Sequence, residues 1–211
     1  MTELKNIIGK IVTNPELHAR WINTLSYMEN VGARKISKFE HRTETNLMIL
    51  KHAAEEARHA FFLKKQIQKI DGNLCPSFSS EYILAPYQSL EYLNLLDIRI
   101  SRFLKEKYNL SGNELKFGAY LLTTYAIEIR ANDIYPVYQD ALNSINSEIN
   151  VKSIIQEEIG HLEEMEKDMA TFFNEPFSVK SFSIQVETEL FQLWIGSLEK
   201  EVNEATLAIL N

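Results

Sequence analysis

Apolar residues recur at intervals of three and four along most of the chain, which is the period of an amphipathic α-helix. This pattern runs over residues 15–39, where Asn14 offers a capping side chain and Pro15 suits the first helical turn. A second periodic stretch, residues 47–70, contains no glycine or proline and ends before an Asp-Gly turn signal. Because a short polar segment separates the two stretches, they predict a pair of antiparallel helices.

The second half of the chain has the same layout. Helical periodicity begins at Asn113 and again near residue 150, and polar residues around Asn143 mark the turn between the two helices. Pro136 has no N–H to donate, so we expect it to kink or end the first of these helices. The second should extend to about residue 173. A second antiparallel hairpin is therefore predicted.

Two further helices lie outside the hairpins. A loop rich in proline and serine and a helix over residues 89–108 form a long crossover between the hairpins. After the break at Pro176, a last helix is expected within residues 184–210. The predicted fold class is all-α, with residues 1–211 forming one domain that has additional crossover and carboxyl-terminal helices.

Charge and composition limit the partners and the compartment. The formal net charge of −7 gives no general attraction to phosphate backbones or anionic lipid, so we expect neither nucleic acid nor a membrane as a partner. Cys75, the only cysteine, cannot form an internal disulfide, and the amino terminus lacks the apolar core of a signal peptide. These features predict a soluble, cytoplasmic protein.

Two Glu-x-x-His pairs carry the strongest chemical signal. Glu56 with His59, and Glu158 with His161, each place a carboxylate and an imidazole one turn apart on one helix face. Both members of such a pair can reach the same metal ion. Because this spacing also arises by chance, the positions of the pairs in the fold must support the interpretation.

The positions of two further acids provide that support. Glu29 and Glu128 lie on the inward apolar faces of the other two hairpin helices. Residues equidistant from a hairpin turn lie at equal height, and both Glu pairs have their midpoints inside the predicted turns, near residue 43 and at residue 143. Buried carboxylates are unfavourable unless cations compensate them. The predicted metal ligands are Glu29, Glu56, His59, Glu128, Glu158 and His161.

Four carboxylates and two neutral imidazoles formally balance two divalent cations. Mixed oxygen and nitrogen ligands favour iron or manganese over structural zinc, which prefers thiolate-rich sites. With these residues the chain resembles the ferritin-like diiron-carboxylate superfamily, in which two helices each supply one Glu and two others each supply Glu-x-x-His. The resemblance implies a ferritin-like four-helix bundle that holds two iron ions, with manganese or a mixed manganese–iron pair as alternatives.

The resemblance also implies supporting roles near the ligands. The segment Glu55-Glu56-Ala57-Arg58-His59 is similar to the acid-Glu-x-Arg-His motif of oxygenases and desaturases, so Glu55, Arg58 and Glu157 are candidates to hydrogen-bond the ligands. Tyr125 precedes Glu128 by about one turn and is a candidate donor, although an aromatic residue at this spacing more often packs the core. Gly160 departs from the motif, because such enzymes often have Arg at that position.

The leading functional hypothesis is a diiron oxidoreductase, an oxidase or monooxygenase that activates dioxygen and hydroxylates or oxidises a small, apolar organic substrate. It requires dioxygen, the substrate and an electron donor as partners, and it is compatible with a homodimer. The helices outside the hairpins favour an enzyme with a covered pocket over a storage ferritin. Phe61, Phe62, Phe103, Leu121, Phe172 and Trp194 are the candidate pocket residues.

Two alternatives remain open from the sequence. One is a ferritin-like or rubrerythrin-like protein that binds iron, acts as a ferroxidase or scavenges peroxide. The other is a helical interaction protein with a structural or vestigial metal site. Solution size separates a storage cage from an enzyme, and inert metal in the presence of reductant and dioxygen would favour the interaction protein.

Overall fold

The computed structural model describes residues 2–210, the last two of them only as backbone. Secondary structure in this range is helical and includes no strand, which confirms the predicted all-α class. The α-helices are α1 (Thr2–Val12), α2 (Pro15–Phe39), α3 (Leu47–Gln66), α4 (Pro86–Tyr108), α5 (Gly112–Ser144), α6 (Lys152–Phe172) and α7 (Pro176–Leu210).

Helices α2 and α3 begin at asparagine caps. The Asn14 side chain accepts hydrogen bonds from the backbone N–H groups of residues 16 and 17, and Asn46 accepts the equivalent bonds from residues 48 and 49. The predicted bounds of α2 are confirmed. Helix α3 ends at Gln66, four residues earlier than predicted, because the chain tightens into a 3₁₀ turn over Ile67–Lys69.

The two hairpins are antiparallel in the structure. In the first, Ser26 of α2 donates to the backbone carbonyl of Ala60 in α3 at 2.7 Å, which brings residues equidistant from the turn together. In the second, the Cβ position of Gly118 in α5 would lie 3.1 Å from the ring of Phe172 in α6, and Asn132 faces Glu158. Inward residues of each hairpin therefore meet at equal height.

Two predictions about the remaining helices need correction, and one helix was not predicted. Of the two outcomes expected at Pro136, a helix end is wrong: α5 continues to Ser144, because Tyr135 and Tyr138 on either side of the proline are buried in the core. Helix α7 begins at Pro176 rather than near residue 184, since proline at a first helical position needs no hydrogen-bond partner for its nitrogen. Helix α1 was not predicted, although its buried Leu4, Ile7, Ile8, Ile11 and Val12 have helical spacing.

One continuous hydrophobic core includes residues from all seven helices. Helices α4 and α7 pack against each other and against α5, and α1 packs on α2, α5 and α7. Trp21 of α2 stacks on Trp194 of α7 with ring centroids 5.8 Å apart, which joins the first hairpin to the carboxyl-terminal helix. Among residues 2–210, every helix is too short or too polar to cross a lipid bilayer.

Candidate metal centre

Helices α2, α3, α5 and α6 each direct one glutamate into the interior, and α3 and α6 each add a histidine one turn later. Glu29 is the most accessible of these residues, with 12% of its side chain exposed. The residues buried beside it are Glu56, His59, Glu128, Glu158 and His161. The structure therefore brings together all six residues that the sequence predicts as metal ligands.

The six side chains form two overlapping groups of four. In the first group, ligand atoms of Glu29, Glu56, His59 and Glu158 all lie within 4.8 Å of one another. In the second group, the same limit holds for Glu56, Glu128, Glu158 and His161. Because Glu56 and Glu158 belong to both groups, the geometry suits two neighbouring cations that share two carboxylates.

Each histidine is oriented by a glutamate from the opposite Glu-x-x-His helix. His59 Nε2 in α3 donates to Glu157 of α6 at 2.8 Å, and His161 Nε2 in α6 donates to Glu55 of α3 at 2.8 Å. Arg58 also donates to Glu157. These bonds direct both Nδ1 atoms toward the interior, as expected for histidine ligands whose second nitrogen is held by a carboxylate.

The His59 Nδ1 atom is a direct test of whether a cation fits. It is buried and lies 3.1 Å from Glu158 Oε1 and 3.9 Å from Glu29 Oε2, yet it forms no hydrogen bond within the described chain. Buried nitrogen atoms rarely lack a partner. A metal ion between His59, Glu29 and Glu158 would supply one, so the residues present fit a bound cation.

Protons stabilise the cluster when no metal is bound. Burial raises the pKa values of Glu56 and Glu128 far above the usual range, and neighbouring carboxylates raise them further. Burial lowers the pKa of His161, but its contacts with Glu128 and Glu158 raise it overall to about 11. For His59, nearby carboxylates likewise outweigh burial and raise the pKa to about 9. All four of these pKa values are raised, so at neutral pH bound protons compensate the buried carboxylates.

Several further side chains support the ligands. Tyr135 donates to Glu29, and Asn132 donates to the backbone carbonyl of Glu128 at 3.0 Å. The ring of His52 lies 4.5 Å from that of His161, and its nitrogens contact Tyr120 and Glu164. The contact between Tyr135 and Glu29 was not predicted. Its only sequence signal is the position of Tyr135 two turns after Glu128 on the same face.

The candidate supporting residues fall into two sets. Glu55, Arg58 and Glu157 contact the histidines or each other as described above. In contrast, Tyr125 donates to Glu166 at 3.4 Å and lies under Lys180, which places its hydroxyl away from the six ligands. The structure therefore brings three of the four candidates to the cluster.

Comparison with known proteins finds no match for the chain. No protein-family model, curated protein or solved structure matches it.

The donor set itself contains four carboxylates and two imidazoles, and the only cysteine, Cys75, is buried elsewhere. Such a set suits iron or manganese better than a thiolate-rich structural zinc site.

A cavity of about 100 Å³ adjoins the cluster and is lined in part by Glu29, Glu56 and Glu128. Its remaining lining is mostly apolar and comes from α2, α4, α5 and α7. Of the six pocket residues suggested by sequence, only Trp194 lines this cavity. Phe61, for example, is 69% exposed on the outer face of α3. The pocket prediction was wrong for the others because cavity lining depends on how α4 and α7 pack.

Proposed function

We propose that this chain is a ferritin-like dinuclear metal protein, with two iron ions as its first choice of metal, that activates dioxygen as an oxidase or hydroxylase. The observation that carries the proposal is the overlap of two four-residue ligand groups in Glu56 and Glu158. A single-metal site needs no such pair of shared carboxylates. Two metal ions held side by side match the number, type and arrangement of the buried ligands.

The side chains of the chain have distinct roles in this proposal. When bound, two ferrous ions supply the electrons for a two-electron reduction of dioxygen. Glu157 and Glu55 hold His59 and His161 with their Nδ1 atoms facing the ligand groups, so little reorganisation is needed for binding. Tyr135 holds Glu29 through a hydrogen bond. The cavity borders Glu29, Glu56 and Glu128, and most of its other lining is apolar.

The same cavity favours an enzyme over an iron-storage protein. A small organic molecule in the cavity would lie directly beside three of the carboxylate ligands. Storage requires no apolar chamber at the metal site. An oxidase or hydroxylase requires an apolar chamber for its substrate, together with dioxygen and an external electron donor.

The first test combines metal analysis with spectroscopy. Protein purified without chelators and loaded anaerobically with ferrous iron should hold about two ions per chain, the number set by the two ligand groups. A pulse of air should then produce a ferric charge-transfer absorption. Glu56→Ala and His161→Ala should lose both signals, whereas Glu163→Ala, which changes an exposed acid on α6, should retain them.

Two results would contradict the proposal. Failure of the loaded protein to retain metal would remove the dinuclear site. A large cage-like assembly that oxidises and accumulates many irons per chain would support the ferritin-like alternative instead of the oxidase or hydroxylase. Size-exclusion chromatography and iron-to-protein ratios separate these results.

A further inference from the structure

Four oxidisable aromatic side chains follow one another through the core. The ring of Tyr92 in α4 lies 6.2 Å from that of Trp194 in α7, measured between centroids. Trp194 lies 5.8 Å from Trp21 of α2, and Trp21 lies 6.0 Å from Tyr138 of α5. Each of the four is at most 5% exposed, and both tryptophans of the protein are among them. We refer to these four residues as the aromatic row.

The aromatic row begins at the cavity beside the predicted metal ligands. Tyr92 and Trp194 line this cavity together with three of those ligands, whereas Trp21 and Tyr138 are not among its lining residues. An oxidant formed at the ligand cluster would therefore lie beside two members of the row. Electrons pass readily between adjacent rings, because orbital overlap falls steeply with distance. The other two members thus offer a route away from the cavity.

The two tryptophans have no base beside their N–H groups. Trp21 Nε1 is buried and has no hydrogen-bond partner within residues 2–210. Trp194 Nε1 donates to the hydroxyl of Ser89 at 2.8 Å, and this hydroxyl donates in turn to the Leu84 carbonyl at 2.6 Å. A hydroxyl is a poor proton acceptor. An oxidised indole at either position would keep its proton and its positive charge, so it would readily take an electron from a neighbouring ring.

Tyr138, at the far end of the row, does have a base. Its hydroxyl donates to His18 Nε2 at 2.7 Å, which is within the range for proton transfer. Burial lowers the pKa of His18 to about 4, so the imidazole is neutral at pH 7 and can accept a proton. An oxidised phenol is a far stronger acid than an imidazolium. Oxidation of Tyr138 would therefore move its proton to His18.

Tyr92, at the cavity end, is a less favourable place for the proton to leave. Its hydroxyl donates to Glu187, whose two carboxylate oxygens also bind Arg130 at 2.7 and 2.8 Å. Protonation of Glu187 would break this buried ion pair and leave the guanidinium to Asp133, which is 43% exposed. Loss of one partner of a buried ion pair is costly. The two ends therefore differ, and Tyr138 is the more stable endpoint.

We propose that the aromatic row carries one-electron oxidation from the cavity to Tyr138, where a tyrosyl radical is stored. An oxidant at the cavity gains one electron, which is supplied through Trp194 and Trp21 and finally lost by Tyr138. The O–H bond of Tyr138 breaks, its proton passes to His18 Nε2, and a neutral radical remains on the phenol oxygen and ring. The oxidant is of the one-electron class that dioxygen generates at the ligand cluster, so its source rests on the proposed function. The row then removes oxidising equivalents from the cavity when no substrate is bound.

The first test creates a tryptophan radical without any metal. The full chain in EDTA receives a near-ultraviolet laser pulse, which ejects an electron from tryptophan. Transient absorption follows the decay of the tryptophan radical and the rise of the tyrosyl radical, and EPR of samples frozen under illumination identifies the latter. Because both tryptophans lie in the row, we expect a tyrosyl signal to replace the tryptophan signal.

Three variants locate the endpoint. Tyr138→Phe keeps the ring but should lose most of the tyrosyl signal and prolong the tryptophan radical. His18→Leu removes the proton acceptor and should slow the rise of the tyrosyl signal. Tyr120→Phe is the matched control and should leave both signals unchanged. Tyr120 is also buried and contacts a histidine, His52, at 2.8 Å, but its ring neighbours within residues 2–210 include no tryptophan.

The second test asks whether the metal site supplies the oxidant. Protein loaded anaerobically with ferrous iron is mixed with air and frozen at intervals for EPR. We expect a tyrosyl radical in the original chain and its loss in Tyr138→Phe. Both proteins should retain the same iron content and ferric absorption, because Tyr138 bonds His18 and not a predicted ligand.

The results separate this inference from the proposed function. An unchanged tyrosyl signal in Tyr138→Phe, or an equal loss in Tyr120→Phe, would overturn the inference even if the protein holds two irons. A Tyr138 radical that forms after the laser pulse, but never after air reaches the iron-loaded protein, would also overturn it. Transfer to Tyr138 in a protein that retains no metal would support electron transfer along the aromatic row and remove only the dinuclear function.

Discussion

Glu157 of α6 accepts a hydrogen bond from His59 of α3 at 2.8 Å, which ties the two Glu-x-x-His helices together beside the ligand cluster. The same arrangement recurs in the opposite direction between Glu55 of α3 and His161 of α6. Each helix therefore orients the histidine of the other. The acids that precede the two Glu-x-x-His glutamates, Glu55 and Glu157, therefore each hold a histidine of the other motif.

Replacing either of these supporting acids should weaken metal binding. Glu157→Gln and Glu55→Gln each remove the carboxylate that holds a histidine, and loss of such a partner lowers metal affinity by about 10–100-fold. Competition with a chelator of known affinity measures the change. Glu163→Gln alters an exposed glutamate on the same helix and should have no effect. Equal affinity in all three variants would show that the crossed bonds do not support the site.

The hydroxyl of Tyr135 should affect one ion more than the other. Tyr135 donates to Glu29, which belongs only to the ligand group that contains His59. Tyr135→Phe should therefore weaken one of two binding steps about tenfold, the scale of a hydrogen bond to a charged group. A two-step metal titration resolves this effect. Tyr138→Phe is the control, because its hydroxyl bonds His18 and not a ligand. A uniform change in both steps would contradict the assignment.

Metal-free protein should become more stable when Glu56 is replaced by a residue that cannot carry a charge. Burial and the neighbouring Glu29 raise the pKa of Glu56, so its carboxyl is less favourable in the folded chain at neutral pH than in the unfolded chain. In the presence of EDTA, Glu56→Gln should increase the free energy of unfolding by about 1–3 kcal/mol. Urea denaturation measures this change, and Glu81→Gln provides an exposed control. With metal bound, Glu56→Gln should instead lower the free energy of unfolding.

His18 should make stability depend on pH far from the ligand cluster. Burial lowers its pKa from 6.5 to about 4, so the unfolded chain binds a proton that the folded chain resists. The folded chain keeps the full stabilisation from a neutral, buried His18 above pH 6.5, and it loses this stabilisation as pH falls from 6.5 toward 4. Between pH 7 and pH 5, the free energy of unfolding of the original chain should therefore fall by about 2 kcal/mol more than that of His18→Gln.

Urea unfolding of both chains at pH 7 and pH 5 measures this difference, since other titrating groups contribute equally to the two chains. A His18→Gln chain with the same pH dependence as the original would show that folding does not change the pKa of His18. The hydrogen bond between His18 and Tyr138, at 2.7 Å, would then need a different proton arrangement.

The ligand cluster could be predicted from sequence because helical spacing and the positions of the two hairpin turns determine it. Helical spacing places Glu29 and Glu128 on inward faces, and the symmetric position of each hairpin turn brings them level with Glu56 and Glu158. Both are local or nearly local properties. The prediction of the six converging residues therefore needed no knowledge of how the outer helices pack.

The cavity and the ends of several helices could not be obtained in this way. Pro136 lies inside α5 because packing of its neighbours outweighs a lost backbone hydrogen bond. Trp194 faces the cavity only because α7 packs across α4 and α5, a relationship that no spacing within α7 encodes. Tyr125 has the spacing of a ligand partner, yet its hydroxyl lies toward Glu166.

The shared carboxylates make the site dependent on both halves of the chain. The group containing Glu29 takes three residues from the first hairpin and Glu158 from the second, and the group containing His161 takes three from the second hairpin and Glu56 from the first. Neither hairpin alone offers four ligands to an ion. A cation bound here would therefore reach all four ligands of either group only after the two hairpins have docked in register, so metal binding would report correct assembly.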